Sequence, residues 1–231
     1  MNACLFLSFK SATQPSADEI AKIDAIFRAT PRLAKGLVHT PSATEDPYVK
    51  DGPGPCLVLQ LYFAALPDLE AAMSRNGALA ALVDRADFPI IAAAEAAQQA
   101  MLVRSFAVPE PGFRTAPGAP HCTYLVSYEG EAEDLNAWHS HYLDNHTRHM
   151  AMFPGIRVLE VYTRLDWVAA LPWQRQNFMQ RNKVVFDSPD ALHQALNSPV
   201  RHEMRADFKA FPRFTGSNRH YAMATRIIHG E

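Results

Sequence analysis

Apolar positions along the chain follow two periods, and these predict its elements. Alternating stretches rich in Val, Tyr, Phe and Cys predict strands, and apolar residues three or four positions apart predict helices. The first half is predicted to contain strand 3–9, helix 16–29, strands 32–40 and 55–63, helix 67–98 (or two helices broken near Phe88-Pro89) and strand 100–108. The second half is predicted to contain strand 121–128, helix 131–152, strands 156–162 and 182–186, helix 189–208 and strand 220–228. Both halves therefore have the order β-α-β-β-α-β.

Short sequence matches recur in the same order in the two halves. Arg85-Ala86-Asp87-Phe88 is repeated as Arg205-Ala206-Asp207-Phe208, and residues 4–9 resemble residues 122–128 with one residue inserted. Ordered matches at nearly one offset predict a tandem duplication. The segment 109–120 has four prolines and two glycines, which is typical of a linker. The predicted units are a degenerate, structural repeat over 1–108, a linker over 109–120 and a repeat over 121–231 that carries any site.

A β-α-β-β-α-β unit is typical of the ferredoxin-like arrangement, in which helices cover one face of an antiparallel sheet. The other face must also be covered, and within one chain the sheet of the second copy is available. The predicted fold class is therefore α+β, with two tandem ferredoxin-like units forming a pseudo-dimeric α/β barrel. A fused pair needs no partner to close the barrel, which leaves a homodimer of such barrels open.

Composition excludes several classes of protein. The chain is 48% apolar and 20% charged, and Lys+Arg 22 against Asp+Glu 24 gives a net charge of -2. This balance argues against nucleic-acid and membrane-surface partners, and no apolar run approaches the roughly 20 residues of a membrane span. Residues 3–9 are predicted to form a strand and not a signal peptide. Three widely spaced cysteines favour reduced thiols and a cytoplasmic location.

The helix predicted over 131–152 has one face of unusual character. At about 100° per residue this face carries Leu135, Trp138, Tyr142, Asn145, His146, His149 and Phe153. A face used only for packing is mostly aliphatic, and buried polar groups need hydrogen-bond partners or a wet cavity. The pattern therefore predicts a ligand cavity beside this helix.

These residues also carry a family resemblance. Trp138, Tyr142, Asn145-His146 and Phe153-Pro154-Gly155-Ile156 resemble the helix-to-strand signature of EthD-like proteins in the dimeric α/β-barrel superfamily. The resemblance covers the second half by motif and both halves by topology. It implies relatives among cofactor-independent oxygenases, cyclases, lactone isomerases and some haem proteins, with pockets between helices and sheet.

Two departures from the pattern affect these expectations. The first half has residues 25–31 where the second half has its histidine-rich end, and this segment lacks histidine, so at most one such site is expected. Residues 166–180, with Trp167 and Trp173, form a long connection between two strands. This connection is expected either to cover a pocket or to pack as an insert.

The catalytic candidates are His146, Tyr142 and Glu160. Histidine transfers protons near neutral pH, so His146 is the candidate acid or base on a phenol, enol or lactone. Tyr142 would stack on the substrate or hydrogen-bond it, and Glu160 would fix the His146 tautomer if the two meet. The residues expected to contact substrate are Trp138, Asn145, His149, Tyr124 and Tyr162.

Each candidate also has a structural interpretation. Positive charge near a helix C-terminus is favoured by the helix dipole, which would account for His146 and His149. Glu160 would be a salt-bridge partner, and Tyr124 a core residue. His146-x-x-His149 lacks an evident third metal ligand, and dinucleotide, phosphate-loop and nucleophile-elbow motifs are absent from the sequence. No metal and no cofactor are predicted, with a haem on an axial histidine as the alternative that the resemblance implies.

The leading functional hypothesis is a small-molecule enzyme acting on a hydrophobic, aromatic or polyketide-like compound. Among enzyme classes, a cofactor-independent oxygenase is the first candidate and an isomerase or cyclase is the second. Each would use a histidine as acid or base. The rival is a non-catalytic ligand-binding or stress-related barrel. A second titrating group converging on His146, with Glu160 or Tyr162 as the candidate, would favour the enzyme.

Overall fold

The computed structural model describes residues 3–44 and 46–230. Its first half contains β1 (Ala3–Lys10), α1 (Ala17–Ala29), β2 (Leu33–Pro41), β3 (Leu57–Phe63), α2 (Leu66–Ala72), a 3₁₀ helix (Ala78–Val83), α3 (Pro89–Ala93) and β4 (Glu95–Phe106). The second half contains β5 (His121–Tyr128), α4 (Leu135–His141), a π-helical turn (Tyr142–His146), α5 (Thr147–Ala151), β6 (Ile156–Arg164), β7 (Gln174–Arg175), β8 (Gln180–Phe186), α6 (Pro189–Leu196), α7 (Pro199–Phe208) and β9 (Asn218–His229).

Eight strands form a closed antiparallel barrel, which confirms the predicted α+β barrel. Their order is β1-β3-β2-β9-β5-β8-β6-β4, and β4 pairs with β1 to close the ring. The short β7 adds to β4 in parallel. Within each half the strands lie in the order fourth, first, third, second, and the pairs β2–β9 and β4–β6 join the halves. The duplication itself stays a prediction.

The predicted strands are present with bounds that shift by at most two residues, except for one that begins at Glu95 instead of residue 100. The helix predicted over 67–98 is wrong: α2, the 3₁₀ helix and α3 replace it, and residues 95–102 pair with β1. This alanine-rich segment has helical propensity, but pairing in the sheet satisfies its backbone groups. The helix predicted over 189–208 is divided, with Pro199 starting α7.

The turn between α5 and β6 forms as the motif predicts. Gly155 has a φ of 76°, in the left-handed region that glycine adopts without a steric penalty. The connection over 166–180 packs on the first half, where Trp167 and Leu171 join the core and Trp173 lies edge-on to Phe9. It therefore packs as an insert over the core of the first half, and its residues Gln176 and Phe178 also line a cavity.

Side chains alternate between the inside of the barrel and the space beneath the helices. The first outer core lies under α1 to α3, and the second lies under α4 to α7. The apolar side chains inside the barrel belong to strands of both halves: Cys4, Phe6, Leu37, Val58, Tyr62, Met101, Leu125, Tyr162 and Met223.

A buried polar network crosses this interior. Lys183 Nζ lies 2.8 Å from Glu160 Oε2, and the hydroxyls of Tyr62 and Tyr162 donate to the same carboxylate oxygen. Burial alone would raise the pKa of Glu160, but the Lys183 ammonium and these donors lower it to about 2. Gln60 Nε2 donates to both tyrosine hydroxyls at 2.7 Å. The network thus joins β3 of the first half to β6 and β8 of the second.

We expect Lys183→Met to lower the free energy of unfolding by about 3–5 kcal/mol, because it leaves the Glu160 carboxylate buried without its cation. Urea unfolding at pH 7 measures the change. The double variant Lys183→Met/Glu160→Gln should recover most of the loss, since it removes both charges together. A single variant as stable as the wild-type protein would show that the ion pair does not hold the barrel interior.

Candidate functional site

The candidate site lies beside the helical segment formed by α4, the π-helical turn and α5. Asp134 caps its start, with Oδ1 accepting from Ala137 N at 2.9 Å. A π turn contains an extra residue, so it rotates the residues that follow it away from the 100° spacing of a regular helix. As a result Tyr142 and His146 are both buried, whereas Asn145 is exposed.

A cavity of about 240 Å³ separates these helices from the outer face of the sheet. The polar side chains in its wall include Tyr142, His146, Asn182 and Arg201. The apolar part of the wall is mainly aromatic or thioether, with Tyr124, Tyr128, Met150, Phe153, Met204 and Phe208. A cavity that combines an apolar wall with a few convergent polar groups is typical of a small-molecule site.

His146 is held as a neutral base. Its Nδ1 lies 2.7 Å from Asp207 Oδ2, so the Nδ1 proton is donated to the carboxylate and Nε2 keeps its lone pair. Among the described residues Nε2 has no hydrogen-bond partner, and the ring lies in the cavity wall. Burial lowers the pKa of His146 to about 4, although Asp207 acts in the opposite direction. The imidazole is therefore neutral at pH 7.

Asp207 binds two histidines at once. Its Oδ1 lies 3.0 Å from His141 Nε2, and its Oδ2 meets His146. The carboxylate thus fixes α7 against α4 and the π-helical turn. Sequence reasoning missed Asp207, although it lies on α7 beside Phe208 and three residues after Met204, and both of these residues line the cavity.

Tyr142 is a buried donor. Its hydroxyl donates to Asn182 Oδ1 at 2.7 Å, and burial raises the pKa of Tyr142 well above its usual range. The ring stacks on Trp138, with centroids 5.2 Å apart. Trp138 is fully buried behind Tyr142 and is not part of the cavity wall, so it supports the site from outside it.

The connection between β2 and β3 reaches from the first half to the site. Asp46 Oδ2 accepts from the Tyr124 hydroxyl at 2.6 Å and from Arg201 Nη2 at 2.7 Å. The Tyr48 ring lies 4.2 Å from the Arg205 guanidinium. The first half was expected to be structural only, yet Tyr48 lines the cavity and Asp46 holds Tyr124 and Arg201 in its wall.

The structure brings together Tyr142, His146 and Tyr124 from the predicted set. His149 lies at the helix end, where Nδ1 is 3.5 Å from Glu203 Oε2. Glu160 and Tyr162 do not meet His146, which corrects the expected contact. Both alternate onto the inner face of β6, whereas the helix lies against the outer face of the sheet, and Asp207 holds the His146 tautomer instead.

Neither a metal ion nor a haem fits the described residues and the space of this site. Within residues 3–44 and 46–230, no three His, Cys, Asp or Glu side chains are placed to hold a metal ion. A cavity of about 150 Å³ holds one benzene ring, so the cavity of about 240 Å³ beside His146 suits a small aromatic molecule and is too small to enclose a haem macrocycle. None of the described helices is long and apolar enough to cross a membrane.

Comparison with known proteins rests on structure alone. No family model matches the chain, and no curated protein matches its sequence. An anthrone oxidase-like protein is similar at a TM-score of 0.59 and 13% identity, over 98% of this chain and 93% of its own. A Fusobacterium nucleatum protein, described provisionally as a monooxygenase, is similar at a TM-score of 0.62 and 11% identity, over 99% and 92%. A chlorite dismutase variant from Candidatus Nitrospira defluvii is similar at a TM-score of 0.55 and 9% identity, over 96% of this chain and 91% of its own.

Likenesses at such identities establish the fold. The chain has the dimeric α/β-barrel fold, as the EthD-like resemblance implied, and that expectation is confirmed. The full length of the barrel is shared, since each comparison covers more than nine-tenths of both chains.

The His146 environment predicts an unusual titration. NMR of the imidazole nitrogens should give the pKa of about 4, and Asp207→Asn should lower it further because the carboxylate favours the charged ring. Asp51→Asn is the matched control, since Asp51 contacts His220, with 3.0 Å between Oδ2 and Nδ1, and should leave His146 unchanged. A His146 pKa near 6.5 in the wild-type protein would contradict the buried position.

The same shift predicts how stability depends on pH. The unfolded chain binds a proton at His146 near pH 6.5 and the folded chain only near pH 4, so the free energy of unfolding should fall as the pH drops through this range. Each such group contributes at most about 1.4 kcal/mol per pH unit. Urea unfolding of wild type and His146→Gln between pH 7 and 4.5 should show a shallower slope for the variant, and equal slopes would contradict the prediction.

Proposed function

We propose that this chain is a cofactor-independent oxygenase-type enzyme that acts on a hydrophobic, aromatic or polyketide-like compound. One observation carries the proposal: a buried neutral imidazole has Nδ1 held by a carboxylate and Nε2 directed at an aromatic-lined cavity. This is the arrangement of a general base whose cationic form the carboxylate will stabilise.

In the proposed first step His146 Nε2 removes a proton from an acidic C–H or phenol O–H of the substrate. The electron pair stays on the substrate and spreads over its rings, while Asp207 stabilises the imidazolium. Arg201 lines the same cavity, and its Nε has no hydrogen-bond partner among the described residues. Asp46 holds the Arg201 guanidinium, and this Nε–H would donate a hydrogen bond to the oxyanion that develops on the substrate.

Dioxygen is the proposed oxidant. The substrate carbanion transfers electrons to O₂, so that a CH₂ group and O₂ give C=O and water, with one oxygen atom in each product. Proteins described as anthrone oxidase-like and provisionally as a monooxygenase have the same fold, which supports oxygenation at a ring carbon. The same proton transfer without O₂ would serve an isomerase or cyclase.

We also propose that the fold arose by tandem duplication of residues 1–108 and 121–231. The equal strand order within each half supports it, as does the repeat of Arg85-Ala86-Asp87-Phe88 at residues 205–208. Buried, unpaired thiols at Cys4, Cys56 and Cys122 support a reducing, cytoplasmic setting.

Turnover of an anthrone tests the proposed enzyme, with O₂ uptake and quinone absorbance as the measurements. His146→Gln should lower kcat by about 10²–10⁴-fold while anthrone still binds. Asp207→Asn should also lower kcat strongly, because the tautomer and the imidazolium lose their support. His149→Gln is the matched control, since His149 lies outside the cavity wall, and it should keep wild-type activity.

Three results would contradict parts of the proposal. Full activity in His146→Gln would show that His146 is not the catalytic base. Binding of anthrones, phenols and lactones without turnover would make the chain a ligand-binding protein. Turnover without O₂ uptake would make it an isomerase or cyclase.

A further inference from the structure

A second cavity opens at one end of the barrel, on the inner face of the sheet. It has a volume of about 280 Å³, and its wall includes Ser8, Val58, Ala97, Leu125, Ser127 and Phe178. Side chains alternate along β5 and β8, so Ser127 and Arg181 face this cavity, whereas Tyr124 and Asn182 face the His146 cavity. The sheet therefore separates the two cavities.

Arg181 is the unusual residue of this second cavity. Its side chain is buried, with 9% of the residue exposed, and its guanidinium lies 4.9 Å from the Phe6 ring and 4.5 Å from the Phe178 ring. Nη2 donates to Gln176 Oε1 at 2.6 Å, and Nε has no hydrogen-bond partner within the described part of the chain. Burial lowers the pKa of Arg181 to about 10, so it stays charged at neutral pH.

The other buried arginines show what Arg181 lacks. Arg157 is paired with Asp187 at 2.8 Å, and Arg201 with Asp46 at 2.7 Å. Over residues 3–44 and 46–230, no carboxylate lies within 4.0 Å of the Arg181 guanidinium. Arg219 stands at the rim of the same cavity, but Glu129 neutralises it at 3.0 Å. Within the part of the chain that the structure describes, Arg181 is thus a buried cation without a carboxylate partner.

A buried charge without a partner is costly, and an anion in the cavity would remove that cost. The planar fork of a guanidinium matches a carboxylate or a phosphate, and an apolar cavity wall favours a carboxylate that carries an apolar body. The hydroxyl of Ser127, directly opposite Arg181 in the β5–β8 register, adds a donor. Val58, Leu125 and Phe178 provide an apolar wall for the rest of the ligand.

We propose that the barrel mouth is a second binding site, in which Arg181 binds a small carboxylate whose apolar body is about the size of one ring. The volume is sufficient, since about 150 Å³ holds a benzene ring. The site is independent of the proposed reaction, because the sheet lies between Arg181 and His146.

Isothermal titration calorimetry with benzoate tests the site, and benzamide is its neutral isostere. Wild-type protein should bind benzoate about tenfold or more tightly than benzamide, because the charge-assisted hydrogen bonds require the carboxylate. Arg181→Met should weaken benzoate binding about 10- to 100-fold. Arg205→Gln is the matched control, since Arg205 is an exposed cation of the other cavity, and its affinity for benzoate should equal that of the wild type.

A second measurement separates binding from structure. Without ligand, Arg181→Met should unfold at the same temperature as the wild type or at a higher one, because the variant removes an uncompensated buried charge. A purely structural arginine would give a lower unfolding temperature.

Several results would overturn the proposal. These are wild-type protein that does not bind millimolar benzoate, benzoate binding that Arg181→Met leaves intact, and benzoate binding that Arg205→Gln abolishes. Inorganic phosphate that binds as tightly as benzoate would show an unspecific anion site in place of a carboxylate site.

Discussion

The ion pair between Lys183 and Glu160 is the constraint on which the barrel interior depends. Closing eight strands into a ring encloses their inward side chains, and two charges can be enclosed only if each satisfies the other. Tyr62 and Tyr162 complete this arrangement by donating to the Glu160 carboxylate, which ties a strand of the first half to strands of the second. The polar network therefore fills the centre of the barrel. Space for ligands lies at the mouth of the barrel and beneath the helices.

The two halves use the space beneath their helices differently. In the first half Phe27 fills it so closely that a Cβ at Gly36 would lie 2.2 Å from the Phe27 ring. In the second half the π-helical turn and α7 leave a cavity, and His146 and Asp207 meet at its edge. Tyr48 lines that cavity from the first half, and Asp46 holds Tyr124 and Arg201 in its wall. The candidate active site is therefore a product of both halves, although its base and its orienting carboxylate come from one.

The two cavities on opposite faces of the sheet illustrate two ways of keeping a charged or titratable group in a protein interior. His146 is buried next to a carboxylate and stays neutral, which leaves its Nε2 available as a base. Arg181 cannot lose its proton at neutral pH, and its guanidinium lies against the Phe6 and Phe178 rings and donates to the Gln176 amide oxygen. The first arrangement suits proton transfer, and the second suits the binding of an anion.

The sequence by itself determined the succession β-α-β-β-α-β in each half, the Pro-Gly turn at Gly155, and the helical segment that carries Tyr142 and His146. Each depends on local periodicity or local backbone preference. Only the tertiary structure decided that Asp207, and not Glu160, is the partner of His146. Alternation along β6 places Glu160 and Tyr162 on a common face, but whether that face meets the helices or the barrel interior depends on how distant strands close the ring. The sequence pattern did not predict the strand at residues 95–99 for a similar reason. Pairing with β1, which is distant in the chain, overrides the helical propensity of its alanines.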